Sequence, residues 1–436
     1  MKSLWEKQDS HRHWPQLKED KTVQVLVIGG GMAGVLCAWK LQQAGKKVIL
    51  VEAERVGGGI TAKTTAVLTA QHDYLYQDMT RDFGAGFTRD YLHGNLDAVK
   101  EFRKLAKKIP CDFEDMPSVQ YTTDNLERLC KEADIVNGLG FSAKFIEKPD
   151  FPKDATGCVE YPEMAQFHPE KFLLGIAQEL EIYEQSRVMN IEGTTAKLEY
   201  ATVQAEQIVV ATHFPFINRK GFYFLKLYQN RSYVMAFENA PLPKASLAEL
   251  EGQGMYFRRY GELLLVGGGD HRTGRKGEGF AYLRNYARQH FPEAREKYAW
   301  ANQDCVSLDG LPYVGSYSPS VPGVYVATGF NGWGMTNSMV AANIICDMIC
   351  GKENALAHTL RPNRSMMHKQ LLCNIAATAA DFAIPTVKRC PHLGCALKWN
   401  SQERSWDCLC HGSRFSEEGK LLDTPAQKDL DTPSTA

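Results

Sequence analysis

One stretch constrains the fold of this chain more than any other: KTVQVLVIGGGMAGVLCAWKLQQAGKKVILVEAE, at residues 21 to 54. An apolar run over residues 23 to 28 predicts a strand that is buried on both faces. Glycines follow at once, and a helix is predicted from about residue 32 to residue 44. A second strand is predicted over residues 46 to 51. Strand, glycine turn, helix and strand in this order predict an α/β unit that holds a dinucleotide.

The glycines fit the pattern G-x-G-x-x-G, and each one has a physical reason. Gly29 allows a sharp turn, Gly31 lets the backbone approach a pyrophosphate, and Gly34 lets helix and strand pack closely. The pyrophosphate would lie at the helix N-terminus, and Glu52 would accept hydrogen bonds from the adenosine ribose. The alternative is a glycine-rich turn of an unrelated fold. The cofactor-binding residues predicted here are Gly29, Gly31, Met32, Ala33, Gly34, Glu52 and Ala53.

The next segment, GGGITAKTTA at residues 57 to 66, is rich in hydroxyl groups and glycine. We expect it to wrap the cofactor and to offer donors near its phosphates or its ring system. A polar surface loop is the alternative interpretation. The residues predicted to contact the cofactor from this segment are Thr61, Lys63, Thr64 and Thr65.

Residues 307 to 349 contain DGLPYVG, then GVYVATG, then GFNGWGMTNS entering a helix, and they resemble the closing segment of the D-amino-acid-oxidase family of FAD enzymes. The resemblance implies an α/β fold, in which an FAD-binding Rossmann-like domain carries a mixed-sheet substrate domain. It also implies that the helix N-terminus points at the flavin, where its dipole would stabilise negative charge. The residues carried over to the flavin are Gly329, Phe330, Gly332, Trp333, Gly334 and Met335.

The same resemblance implies a discontinuous flavoprotein over residues 22 to 355. Its FAD-binding parts are expected at about 22–90, 155–215 and 300–355, and its substrate parts at about 90–155 and 215–300. Arginine in the substrate part would suit an amino-acid carboxylate through bidentate pairing. Ordinary polar strand faces are the alternative. The catalytic candidates are Tyr223, Arg231, Tyr233 and Arg258. His72, His213 and His271 could act as bases, but a structural or surface role is the favoured interpretation of each.

A second pattern lies near the end of the chain, where four of the twelve cysteines and two of the twelve histidines fall between residues 390 and 411. Cys390-x-His392 and Cys408-x-x-His411 form a complete set of four ligands. Such a set could bind zinc, or it could bind a [2Fe–2S] cluster with two thiolates on one iron and two imidazoles on the other. A metal-free disulfide knot is a third reading.

The surrounding segments CPHLGC and CLCHGSRF resemble the signature of the Rieske family. The resemblance implies a disulfide between Cys395 and Cys410, and a Ser413 hydroxyl that donates to a bridging sulfide. Phe415 replaces a tyrosine of high-potential members, which should lower the potential. The residues before Cys390 read as a helix from about residue 366 to residue 382, so the usual upstream strands are absent and the all-β Rieske lobe of residues 389–436 is expected to be shortened.

The remaining expectations concern partners and organisation. A net charge of −1 argues against bulk nucleic-acid binding. The polar extension over residues 1–21 has no secretion signal, and the scattered cysteines suggest a reducing, cytoplasmic setting. Residues 323–346 are uncharged but contain four glycines and three asparagines, so we interpret them as buried strand, turn and helix, not a membrane span. A helical linker is expected over residues 356–388.

The function predicted from these patterns is oxidoreduction of a small amine or amino acid by FAD. Electrons would pass singly between FAD and the Rieske cluster to or from an external partner, with His392 and His411 as the exit if they are exposed. Two alternatives stay open, namely an O2-using flavin oxidase with a structural Rieske remnant and a redox sensor without turnover. The substrate, the direction of electron flow and the oligomeric state do not follow from the sequence.

Overall fold

The structure is a computed structural model that describes residues 3–7, 13–217, 219–252, 254–386 and 388–430. The helices in these ranges are α1 (Met32–Gln43), α2 (Leu75–Ala106), α3 (Leu126–Gly138), α4 (Pro169–Ala177), α5 (Tyr223–Lys226), α6 (Phe280–His290), α7 (Gly334–Ile349) and α8 (Lys369–Ala383). None of these helices combines the length and the apolar character needed to cross a bilayer.

The strands follow the chain as β1 (Lys21–Ile28), β2 (Val48–Val51), β3 (Val67–Leu68), β4 (Glu114–Asp115), β5 (Ser118–Thr122), β6 (Lys144–Glu147), β7 (Gly157–Tyr161), β8 (Ala165–Gln166), β9 (Ile182–Tyr183), β10 (Val188–Glu192), β11 (Thr195–Leu198) and β12 (Thr202–Val210). They continue as β13 (Leu227–Glu238), β14 (Ser246–Glu249), β15 (Tyr256–Tyr260), β16 (Leu263–Arg272), β17 (Arg295–Ser307), β18 (Tyr313–Ser316), β19 (Val324–Thr328), β20 (Leu397–Asn400), β21 (Ser405–Cys408), β22 (Arg414–Ser416) and β23 (Leu421–Asp423).

The first sheet has a parallel centre in which β1 lies between β2 and β12, and β12 also pairs in parallel with β19. Residues 25 to 28 of β1 are buried because α1 and α7 cover one face of the sheet and a second apolar cluster covers the other. The predicted strand–helix–strand order is thus present, with α1 ending one residue before the expected limit. A parallel strand that is covered on both faces has no solvent-exposed side, and this explains the near-continuous apolar run in β1.

The second sheet has the order β17-β13-β16-β15-β14-β5-β7-β6 and is mostly antiparallel. Its long strands, β13, β16 and β17, place Tyr233 opposite Ala301 and Gly268. The strand β7 belongs to this sheet, although residues 155–215 were expected in the FAD-binding part. The predicted start of the second FAD-binding part, at about residue 155, therefore stays approximate.

The N-terminal extension contributes to the core, which its polar composition did not indicate. Trp5 is fully buried and packs with Val234, Leu265 and Trp300. Its indole nitrogen donates to the carbonyl oxygen of Thr64 at 2.6 Å, so the extension is fixed to the predicted cofactor loop.

The C-terminal lobe is a four-stranded antiparallel sheet in the order β20-β21-β22-β23. Its buried side chains include Arg414, whose guanidinium lies 2.9 Å from oxygens of Asp407 and Glu403 and 3.0 Å from Asp423. Burial would raise the pKa of Glu403, but the charges of Arg231 and Arg414 hold it below its usual value. The lobe is thus closed around charges as well as around apolar side chains.

We expect Arg414→Met to lower the free energy of unfolding of the C-terminal lobe by about 3–5 kcal/mol, because it leaves buried carboxylates without their partner. The matched control is Arg404→Met, which removes an exposed ion pair with Glu417 and should cost less than about 1 kcal/mol. Urea titration followed by circular dichroism measures both. Equal effects of the two changes would contradict a central role for Arg414.

Candidate functional site

Two glycines of the β1–α1 turn lie where no side chain fits. Gly29 has a φ of +112°, and a Cβ atom there would lie 2.5 Å from the carbonyl oxygen of Ala211. A Cβ atom on Gly34 would overlap the carbonyl oxygen of Gly29. Helix, turn and the end of β12 are therefore packed backbone against backbone. This close approach is the reason that the motif needs glycine at these positions.

A cleft, called here the dinucleotide cleft, opens above this turn. Residues predicted to bind the cofactor form much of its wall, namely Gly29, Gly31, Met32, Ala33, Glu52, Ala53, Thr61, Gly329, Phe330, Gly334 and Met335. Glu52 accepts hydrogen bonds from the backbone nitrogens of Gly30 at 2.6 Å and Glu54 at 2.9 Å, and burial raises its pKa. The hydroxyl of Thr61 accepts from the backbone nitrogen of Met32 at 3.0 Å. These hydrogen bonds fix the turn before α1, and the first residues of the helix line the cleft.

The rest of the predicted cofactor loop has another role in the structure. The carbonyl oxygens of Lys63, Thr64 and Thr65 accept hydrogen bonds from Trp300, Trp5 and Arg258 in turn. Because Trp300 and Arg258 belong to the second sheet, this loop joins the two sheets. The Lys63 ammonium lies 3.9 Å from a carboxylate oxygen of Asp423 in the C-terminal lobe. The prediction that Lys63, Thr64 and Thr65 contact the cofactor stays a prediction.

The start of α7 closes one end of the dinucleotide cleft. Gly332 has a φ of +85° in the turn before the helix, and Trp333 packs face to face on His72 with ring centres 5.0 Å apart. The Trp333 indole donates to Asp73 at 3.2 Å. Burial lowers the pKa of His72 to about 3, and its ring nitrogens lie near Tyr91 and the carbonyl of Thr69. His72 is therefore a neutral packing residue here.

The structure does not bring the four catalytic candidates to the dinucleotide cleft. The Tyr223 hydroxyl is buried and donates to the carbonyl oxygen of Tyr317 at 2.8 Å. The Arg231 guanidinium is 3% exposed and pairs with Glu403 of the C-terminal lobe. Tyr233 contacts His271 at 3.0 Å, and Arg258 donates to backbone carbonyls that include Ala66 and Phe167. These side chains are thus engaged with other parts of the protein, and neither arginine lines the dinucleotide cleft.

Three mutually interacting carboxylates, of which Asp73 contacts Trp333, were not singled out by sequence reasoning. Asp73, Asp270 and Asp304 come from different segments, and the charges of Asp304 and Asp73 both act on Asp270. Loss of hydration raises the pKa of Asp270 to about 8, and each of these two like charges contributes a smaller part of the shift. Burial also raises the pKa values of Asp73 and Asp304 to about 6. Because these three residues are far apart in sequence, no spacing pattern links them. Only the folded structure shows that they interact.

The predicted cluster ligands lie together at the tips of two loops in the C-terminal lobe. The rings of His392 and His411 meet edge to face with centres 4.9 Å apart, and the thiols of Cys390 and Cys408 are in contact. Ligand atoms of Cys408, His411 and the pair Cys395 and Cys410 lie within 4.8 Å of one another. A thiol pair facing an imidazole pair is the donor set that a mixed-ligand iron–sulfur cluster requires.

The two loops are tied to each other in the manner expected from the Rieske resemblance. A disulfide joins Cys395 to Cys410. The Ser413 hydroxyl contacts the Cys390 thiol and accepts from the backbone nitrogen of Ala426 at 2.9 Å. Phe415 is fully buried in the core of the lobe. The donor set and its supports therefore fit a cluster at this place.

The C-terminal lobe is docked directly on the dinucleotide cleft. Its residues Leu422, Asp423, Thr424 and Gln427 form part of the cleft wall, together with Gln229 of β13. The Gln229 amide donates to the carbonyl oxygens of His411 at 2.7 Å and Thr424 at 2.8 Å. One buried side chain therefore separates the cleft from a predicted cluster ligand.

A second amide strengthens this contact. Gln303 donates to the carbonyl oxygen of Gly412 at 3.0 Å and to the side-chain oxygen of Gln229 at 2.8 Å. A Cβ atom on Gly412 would lie 2.8 Å from Gln229, so only glycine allows the approach. His411 is 2% exposed and lies beneath Phe224. The hypothesis that electrons leave through two exposed imidazoles is therefore wrong for His411.

Comparison with known proteins gives two family matches. The family described as "FAD dependent oxidoreductase" matches residues 24–348, and the family described as "Rieske [2Fe-2S] domain" matches residues 375–434. A curated relative, YhfW of Bacillus subtilis, is named as a Rieske 2Fe-2S iron-sulfur protein. It is 29% identical over 98% of this chain and 96% of its own length. Both predicted families are confirmed.

Two solved structures share the fold of the larger part. Glycine oxidase from Geobacillus kaustophilus superposes with a TM-score of 0.67 at 19% identity, over 79% of this chain and 100% of its own. L-Proline dehydrogenase from P. horikoshii superposes with a TM-score of 0.68 at 16% identity, over 79% of this chain and 98% of its own. FAD and a [2Fe–2S] cluster are the cofactors of the two matched families. This chain belongs to the FAD dependent oxidoreductase family and carries a Rieske [2Fe-2S] domain at its C-terminal end.

Proposed function

We propose that this oxidoreductase acts on a small amine or amino acid and that electrons pass singly between its FAD and its Rieske cluster to or from an external partner. The similar solved structures include enzymes named for glycine and L-proline, which supports a nitrogen-bearing substrate. When bound, FAD supplies two-electron chemistry and the cluster supplies one-electron chemistry. The chain's own residues bind and orient these groups.

The hydrogen bond between Gln229 and His411 carries the proposal of a relay. Gln229 is 1% exposed, lines the dinucleotide cleft and holds the backbone of a predicted cluster ligand. A lobe retained only as a remnant would have no need to form the wall of this cleft. Because electron transfer weakens steeply with distance, a contact of this kind favours exchange within one chain.

The position of the carboxylates favours the amine side of the substrate class. Asp73 accepts a hydrogen bond from Trp333, the residue before α7, and the charges of Asp73 and Asp304 both act on Asp270. The candidate arginines Arg231 and Arg258 are engaged elsewhere, so neither is set to receive a carboxylate. Negative charge would instead attract a substrate ammonium and hold it near the flavin end of the cleft.

The relay is tested with Cys408→Ser, which removes a thiolate ligand, and with Cys373→Ser, an exposed cysteine, as the matched control. Substoichiometric substrate is added without oxygen, and the flavin is followed by absorption and the cluster by EPR. We expect wild type and control to reduce both centres together. The Cys408→Ser protein should lose the iron signal while its flavin still bleaches. A wild-type cluster that stays oxidised while the flavin bleaches in proportion to the substrate added would remove the relay and favour the oxidase.

The amine preference is tested with Asp304→Asn, using the small amine that bleaches the flavin fastest in an anaerobic screen. We expect its KM to rise about tenfold, which corresponds to roughly 1.4 kcal/mol of lost attraction. Asp134→Asn on the exposed surface of α3 is the control. An amino acid that outcompetes every amine, with a KM that ignores Asp304, would contradict this preference.

The same three carboxylates should make binding depend on pH. Carboxylates with raised pKa values take up protons as the pH falls from about 8 toward 6, so their attraction for a cation weakens. We expect the wild-type KM for the amine to rise over this fall in pH. The rise should be smaller in Asp304→Asn, and the measurement is a KM profile at constant ionic strength. A wild-type KM that does not change with pH would argue against substrate binding by these carboxylates.

A further inference from the structure

The helix α8 is arranged the opposite way from an ordinary surface helix. Its buried residues are polar: Asn374 is 4% exposed and Asp381 is fully buried. Arg272 donates to the Asn374 side chain at 3.0 Å, and Arg275 donates to both carboxylate oxygens of Asp381 at 2.9 Å. Since these residues are seven positions apart, they fix one stripe of the helix to the flavoprotein.

The opposite stripe, called here the outer face of α8, is apolar and uncovered. Its exposed residues are Leu372, Ile375, Ala376, Ala379, Phe382 and Ala383. Leu372 is 70% exposed and Phe382 is 45% exposed, while Met367 just before the helix is 88% exposed. Surface helices normally turn such a stripe inward, so a contiguous exposed one marks an interaction site.

The charge around the outer face indicates what covers it. Between residues 354 and 402 the sequence has six basic side chains and one acid, Asp381, which is turned inward. One of the six, Arg364, is buried in an ion pair with Asp309, and the other five remain to set the charge around the outer face. Lys369 at the start of α8 and Arg389 beyond its end are both exposed. An apolar stripe between cationic ends fits an interface that is apolar at its centre and anionic around it.

Two other kinds of occupant fit less well. A second copy related by two-fold symmetry would bring like patches together, and their basic ends would repel. A protein partner would normally exchange about one hydrogen bond per 100–200 Å² of contact. The outer face offers aliphatic and phenyl groups and no hydroxyl, amide or carboxylate to meet that need.

We propose that the outer face of α8 seats this protein on an anionic lipid surface as a peripheral, non-spanning contact. The same helix lies beside the cluster, because Arg272 donates both to Asn374 and to the carbonyl oxygen of Cys410 at 2.9 Å. Seating α8 would therefore hold the cluster-binding loops one helix diameter, roughly 10 Å, from the membrane surface. This inference goes beyond the proposed redox reaction and does not depend on the substrate or on the relay.

The test uses flotation of the full-length holoprotein with vesicles of phosphatidylcholine, with or without phosphatidylglycerol. We expect wild type to float with the anionic vesicles and much less with the neutral ones. Leu372→Gln combined with Ile375→Gln should lower the partition coefficient at least about tenfold. Lys369→Glu should lower it about fivefold on anionic vesicles and leave it unchanged on neutral ones.

The matched control is Met189→Gln combined with Tyr200→Gln, because these residues are 50% and 58% exposed on another part of the surface. It should float like wild type. Visible spectra check that every variant keeps its cofactors. The proposal is overturned if wild type ignores anionic vesicles, or if the Leu372 and Ile375 variant floats unchanged. It is also overturned if sedimentation shows a wild-type dimer that this variant separates into monomers.

Discussion

The attachment of the C-terminal lobe to the second sheet depends on a shared set of buried charges. Arg231 of β13 pairs with Glu403 of the lobe, and Glu403 also pairs with Arg414 within the lobe. Buried charges need their partners, since a charge left alone in a protein interior costs several kcal/mol. The lobe has four short strands and a small apolar core. It thus uses the surface of the flavoprotein where a longer Rieske domain would have further strands of its own.

This attachment places two chemical centres in one wall. Gln229 and Gln303 reach from β13 and β17 to the backbone of the cluster-binding loop, and the segment around Asp423 and Thr424 faces the dinucleotide cleft. A single sheet therefore carries Asp270 and Asp304 and also presents the amides of Gln229 and Gln303 toward the cluster-binding loop. The geometry of each centre is fixed by the same strands, so a shift in β13 would move both.

Sequence reasoning succeeded where the signal is local. The Gly29–Gly34 turn and the Cys390–His411 pattern are short, and their chemistry fixes the spacing, so their positions in the fold follow closely. It did not reveal the partners of Arg231 and Arg258, because the partner of a polar strand residue depends on strands that are distant in sequence. It also missed Trp5, since one buried tryptophan in a polar extension has no periodicity to reveal it.

The shared wall has a consequence for dissecting the molecule. A chain ending before β20 would leave Arg231 without Glu403 and would open the cleft where Leu422 to Gln427 now stand. Water would then enter the cleft, and any redox midpoint or rate recorded on such a fragment would belong to a differently solvated site. The isolated tail would in turn lose the glutamines that hold its ligand loop. Neither fragment would reproduce the behaviour of its half within the intact polypeptide.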